Sequence, residues 1–296
     1  MLAVLLLLLV LALRSCGADG DAASAVPTVP KALVAQLPGG GRTIFPAKRV
    51  VAFYGAPQSE RLGVLGIGAP EAAAKRLRRV ARAYKTPGRP VLPAFELIST
   101  IANAHPGDDG MYRTHQPDAT IERYLLAARK TKALLLLDVQ PGRGDFLAEA
   151  QRLQRWLLEP DVGLALDPEW HVGGDEVPGQ TIGSVTAAQV NEVAQYVSNI
   201  VGKHDLPQKL FVVHQFTEGM IENKQQVARP RGLAMTMNVD GFGNPANKIS
   251  KYKEFTASET AGFHNGFKLF FEEDTDLMTH DDVLALRPAP DLVVYE

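Results

Sequence analysis

Asp167 and Glu169 stand two residues apart at the end of an apolar run that starts at Val162. Along an extended chain, residues i and i+2 share a face, so the two carboxylates point the same way. Gly163 and Ala165 precede them on that face and His171 follows. A face that runs from small to acidic suits the crowded interior of a closed sheet opening into a polar pocket. A buried carboxylate is costly unless it is paired, hydrogen-bonded or bound to metal. Two carboxylates side by side raise each other's proton affinity, as a general acid needs. Glu169 is read as that acid and Asp167 as the neighbour that helps it keep its proton.

A second stretch repeats the alternation: Thr236, Asn238 and Asp240 share one face, and Met235, Met237 and Val239 the other. Polar residues also close the remaining apolar runs: Tyr54, Glu96, Asp138 with Gln140, His214, and Glu272 with Asp274. Glycoside cleavage uses an acid and a second carboxylate, about 5 Å apart for retention and wider for inversion. Asp240, Asp138 and Glu272 are the candidates for that partner. The catalytic candidates are therefore Glu169, Asp167, Asp240 and Asp138. Tyr54, Glu96, Gln140, Trp170, His171, His214, Asn238 and Glu272 are the candidates for binding substrate. Asp138, Glu169, His214, Asp240 and Glu272 are expected to share one cavity. Trp170 and Tyr112 lie in long loops on the same rim, where apolar rings suit the C–H faces of a sugar.

Two other chemistries fit the same strand ends. Asp138, Glu169, His171, His214 and Asp240 are ligand types for a divalent-metal hydrolase. The chain has no HxH or HExxH spacing, and the reading taken carries no metal and no cofactor. A barrel that binds a glycan or an envelope partner without turnover is the other alternative.

These residues need elements to hold them. Strands are predicted at residues 49–54, 91–96, 133–138, 162–169, 210–216, 233–240, 267–272 and 291–295. Helices are predicted between them at 71–85, 121–130, 145–158, 187–203, 218–228, 245–258 and 279–285, with Thr186 and Gln189 at capping-box spacing. Eight strands alternating with helices imply a parallel sheet. Continuous apolar runs such as residues 133–137 agree, because parallel strands are buried on both faces. The predicted fold is an α/β (β/α)8 barrel lacking a final helix, with its site at the carboxyl ends of the strands. An open doubly wound sheet is the alternative, but Gly55-Ala56-Pro57-Gln58 after the first strand is no GxGxxG fingerprint. Residues 31–37 carry a short helical pattern that could fill the place of the eighth helix.

The chain is read as residues 1–16 leader, 17–47 tether and amino-terminal segment, and 48–296 barrel. Net charge is −2, from 31 basic and 33 acidic side chains, which argues against nucleic acid as a partner. The basic run around Arg78 reads as the wet face of a helix. The chain is read as a monomer whose partner is a carbohydrate. Residues 2–13 are uninterruptedly apolar, too short for the roughly 20 residues of a membrane span and right for a signal-peptide core. Cys16 is the only cysteine, so no intramolecular disulfide forms.

Leu13-Arg14-Ser15-Cys16-Gly17 resembles a bacterial lipobox. That resemblance implies lipidation of Cys16 and an exported protein on the outer face of the cell membrane; cleavage elsewhere in the leader would leave it secreted. Gly163-Leu164-Ala165-Leu166-Asp167-Pro168-Glu169-Trp170 resembles the fourth-strand signature of chitinase-like glycosidases. The match implies Glu169 as general acid and Asp167 as its supporting carboxylate. Ala165 replaces the middle Asp, the group that assists a substrate acetamido in that family. Met237-Asn238-Val239-Asp240 loosely resembles the family's Met-x-Tyr-Asp stretch, with Val239 in place of the aromatic. The chain as a whole is similar to actinobacterial lipoproteins carrying a glycosidase-like barrel, which implies location and fold and leaves activity open.

Overall fold

The computed structural model describes residues 34–257 and 262–296. The leader and Cys16 lie outside the described residues.

Among the described residues, eight parallel strands close on themselves: β1 (Arg49–Gly55), β2 (Val91–Ala102), β4 (Leu134–Val139), β5 (Val162–Leu166), β7 (Lys209–Gln215), β9 (Leu233–Val239), β10 (His264–Leu269) and β11 (Leu292–Tyr295). β1 pairs with both β11 and β2, Val51 facing Val293 on one side and Pro93 on the other. That closure excludes the open sheet: the fold is a (β/α)8 barrel. β3 (Arg113–His115) adds an antiparallel flap to the extended end of β2.

Helices follow the strands: α1 (Pro70–Ala83), α2 (Asp118–Lys130), α3 (Phe146–Arg152) with α4 (Gln154–Leu157), α5 (Ala187–Lys203), α6 (Pro245–Phe255) and α7 (His280–Ala285). Thr186 and Gln189 form the expected capping box on α5. Two helix expectations fail. Residues 145–158 break at Leu153 into α3 and α4. Residues 218–228 form two 3-10 turns around a two-residue strand, β8 (Ile221–Glu222), which pairs with β6 (Val185–Thr186). Asn223 takes a left-handed conformation there (φ 55°), which ends any right-handed helix.

Strand alternation sorts the core into two layers. Outward residues such as Val51, Phe95, Leu135, Leu164, Phe211 and Met235 pack with the helices. Inward residues such as Ala52, Ala94, Leu136, Ala165, Val212 and Ala234 fill the barrel. Leu37, Ile44 and Phe45 join this inner cluster. Residues 34–37 are therefore not a helix standing in for the eighth; the segment closes the barrel from below. Arg42 and the backbone of Ile44 tie it to Asp205 and Gln208, just before β7. Outside β11, Tyr295 stacks on Phe271 and its hydroxyl lies 2.6 Å from that of Tyr84.

Candidate active site

The inner layer changes from apolar to ionisable toward the carboxyl ends of the strands. Glu96 from β2, Asp138 from β4, His214 from β7 and Asn238 from β9 are buried there. Above them stand Tyr54 at the end of β1, Gln140 after β4, Asp167 after β5, Asp240 after β9, Lys268 on β10 and Glu296 after β11. Small residues make the room. A Cβ at Gly266 would come 2.4 Å from Asn238 Oδ1, so β10 packs against β9 only because position 266 is glycine.

The network is continuous. His214 Nε2 lies 2.9 Å from Glu96 Oε1, and its Nδ1 lies 2.9 Å from Asp240 Oδ2. Lys268 Nζ donates to Asp240 Oδ2 at 3.0 Å, reaches Glu296 Oε2 at 2.7 Å, and sits 3.9 Å from the centre of the Tyr54 ring. Gln140 Nε2 donates to the Tyr54 hydroxyl, which donates to Asp138 Oδ2 at 3.3 Å. A cavity of about 250 Å³ opens above, lined by Tyr54, Gln140, Asp167, Glu169, Asp240 and Lys268. Trp170, Phe216, Phe242 and Phe270 supply aromatic rings to its wall, and Phe242 is 63% exposed.

The charges divide sharply. Burial pushes Glu169 up to about 7, and Asp167 and Asp240 push it the same way. Asp240 is also buried, which alone would raise it, but Lys268 and His214 hold it well below the ordinary carboxylate range. Burial raises Asp138 and Asp167, and Asp138 rises further beside Asp167. Burial would discharge His214 and Lys268, yet the carboxylates around them, Glu96 for His214 and Asp240 for Lys268, keep both cationic. Near pH 7 the cavity thus holds a half-protonated acid at Glu169 and an ionised carboxylate at Asp240.

Glu169, Asp167, Asp240, Tyr54, Gln140 and Trp170 line the cavity as expected, whereas Asp138 and His214, expected to share it, and Glu96 and Asn238, expected to bind substrate, are buried and line no part of it. Two further expectations fail. Glu272 is exposed and borders a different surface pocket with Glu60 and Gly63. β10 starts and ends three residues earlier than expected, so the chain turns after Leu269 and carries Glu272 outward. Asp274 pins that turn by accepting from the backbone N–H of Phe270 at 2.9 Å. His171 is also absent from the site: Nδ1 lies 2.5 Å from the Ser184 carbonyl oxygen and its ring packs on Phe146. β5 ends at Leu166, and a 3-10 turn over Pro168–Trp170 breaks the alternation before residue 171. His171 therefore belongs to no ligand set with His214.

Sequence reasoning missed Lys268 and Glu296. Both were readable in principle. Lys268 is a lone charge between Phe267 and Leu269, and Glu296 shares a face with Leu292 and Val294. The loop of residues 97–120, expected on the rim, is largely structural: Arg113 and His115 bind the buried Glu149.

No family model matches the chain, and no curated protein matches it. Solved structures that align with it include the following two. One is a sialic acid aldolase from Ruminococcus gnavus, 12% identical with a TM-score of 0.39 over 84% of this chain and 68% of that one. The other is a GH18 chitinase from Pseudoalteromonas aurantia, 11% identical with a TM-score of 0.42 over 84% of this chain and 93% of that one. Neither likeness bears on activity at these identities.

Proposed function

We propose that this chain is a glycoside hydrolase in which Glu169 is the general acid and Asp240 the ionised partner. One observation carries the reading: two carboxyl groups line one cavity, and their surroundings drive their proton affinities apart. Such a pair assigns an acid and an anion at the same pH. Glu169 gives its proton to the glycosidic oxygen as the C–O bond breaks. Asp240 stabilises the positive charge that develops on the sugar ring. Lys268 and His214 keep Asp240 ionised. Asp167 helps to keep the proton on Glu169. Trp170, Phe216 and Phe242 offer apolar ring faces to a sugar. Water then forms the new bond at the anomeric carbon and gives its proton to the Glu169 carboxylate, which restores the acid.

The apolar leader and Cys16 motivate the accompanying proposal that the enzyme is exported and lipid-anchored, facing envelope or external polysaccharide. The test is a screen of the chain on such polysaccharides, followed by Glu169→Gln on any substrate cleaved. Gln keeps the shape and cannot donate the proton, so turnover should fall by about 100- to 10,000-fold with binding retained. Hydrolysis left intact by Glu169→Gln removes this residue as the acid. Glycan binding without turnover in the wild-type chain favours the idle-barrel alternative.

A further inference from the structure

Beneath the cavity, two carboxylate oxygens are buried with no hydrogen-bond partner: Glu96 Oε2 and Asp138 Oδ1. Both residues are 0% exposed. Buried polar atoms are nearly always satisfied, and an orphan in a folded protein calls for an explanation such as an ion. The two residues converge on the same imidazole nitrogen. His214 Nε2 lies 2.9 Å from Glu96 Oε1 and 3.9 Å from Asp138 Oδ1. One ligand atom from each of Glu96, Asp138 and His214 lies within 4.8 Å of the others.

We propose that Glu96, Asp138 and His214 form a buried site for one divalent transition-metal ion such as zinc. Zinc binds nitrogen and oxygen at about 2.0–2.2 Å, which sets neighbouring ligand atoms of a tetrahedral site roughly 3.3–3.6 Å apart. The observed separations bracket that range, so small side-chain rotations complete the geometry. The outer shell is already built. A metal-binding histidine generally donates its other ring N–H to a carboxylate, and His214 Nδ1 is 2.9 Å from Asp240 Oδ2. Tyr54 orients Asp138 by donating to Oδ2, which leaves Oδ1 for the ion. One imidazole and two carboxylates suit zinc or manganese, whereas calcium takes six to eight oxygens. Charge points the same way. Glu96, Asp240 and Glu296 share the two cations His214 and Lys268 between them, and Asp138 Oδ1 adds a third carboxylate within 3.9 Å of His214. An ion at this site takes the place of the proton on Nε2, and that proton is released. This set differs from the one read in the sequence: it includes Glu96 and excludes His171, Glu169 and Asp240 as ligands. It does not depend on the glycosidase reading.

The test uses the full chain produced with zinc supplementation, because a fully buried ion enters most readily during folding. After desalting through a chelating resin, metal content and melting temperature are measured against protein produced under zinc depletion. The site predicts one zinc ion per chain, a higher melting temperature with zinc, and at least about tenfold weaker retention in Asp138→Asn and Glu96→Gln. Wild-type protein without zinc overturns the proposal, as does zinc retained equally by both variants. Should the variants not fold, anomalous diffraction at the zinc edge on wild-type crystals decides. A peak between the three side chains supports the site, and a peak elsewhere overturns it. Loss of hydrolysis in Glu169→Gln is read independently, so the two proposals fail separately.

Discussion

At the scale of single residues, Lys268 decides the state of the site. It is 4% exposed and contacts Asp240, Glu296 and the Tyr54 ring. Removing one partner of a buried ion pair strands the other, at a cost of about 3–5 kcal/mol. Lys268→Met should therefore destabilise the chain by that order, measured by denaturant unfolding. It should also let Asp240 take up protons at higher pH, moving the acid limb of kcat/KM upward. An unchanged acid limb would separate Asp240 from the chemistry. Alternation made Asp167 and His214 legible, since each ends a run whose inward neighbours are small or apolar, and Asp240 legible as the end of the face that carries Thr236 and Asn238. It left Lys268 visible only as a lone charge between Phe267 and Leu269, with no role attached. A lysine flanked by phenylalanine and leucine gains its meaning only when two carboxylates from β9 and the segment after β11 close around it.

At the scale of elements, alternation holds only as far as the strand does. The register of β5 and β9 was readable because each is one unbroken run. Glu272 and His171 were misassigned because the chain turns before reaching them, at Leu269 and at Pro168. Those turns are fixed by contacts distant in sequence, such as the Gly243 backbone N–H donating to Asp274, and no local pattern announces them. The flap β3 is held in a comparable way. Glu149 on α3 is buried and binds Arg113 Nε at 2.5 Å, His115 Nε2 at 2.9 Å and Arg152 Nε at 3.2 Å. Burial alone would raise its carboxyl, but His115 and Arg113 reverse that and bring it down to about 2 from an ordinary 4.5. A depressed acid stabilises the fold above its unfolded value and loses that contribution as pH falls toward its folded value. The stability difference between wild type and Glu149→Gln should thus be full above pH 4.5 and shrink between about 4.5 and 2. Chemical denaturation across that range checks it; a difference independent of pH would contradict the assignment.

At the scale of the whole molecule, the barrel has a division of labour between its ends. The carboxyl end holds the ionisable network, and the amino end is sealed by Leu37, Ile44 and Phe45. Ile44 is 0% exposed. Its truncation leaves a cavity in a packed interior, so Ile44→Ala should cost about 2–5 kcal/mol. Under the glycosidase reading, polysaccharide cleavage below the unfolding transition should stay within about twofold of wild type, because Leu37, Ile44 and Phe45 line no part of the cavity. A specific loss of turnover with stability intact would place the plug in the catalytic machinery instead. The barrel itself was readable from eight apolar runs. Its plug was not: residues 34–45 carry too few apolar positions to declare a partner, and only the closed cylinder supplies one.

The claim on which the functional reading rests is that this barrel holds Glu169 half-protonated near neutrality beside an ionised Asp240. The direct measurement needs no substrate. Carboxyl-13C glutamate is incorporated into the chain, and the Glu169 resonance is identified by its absence in Glu169→Gln and followed over pH. Its midpoint should fall at about 7. A midpoint in the ordinary glutamate range, near 4.5, would contradict the account, because Glu169 would then be a spent anion at the pH where it must give up a proton.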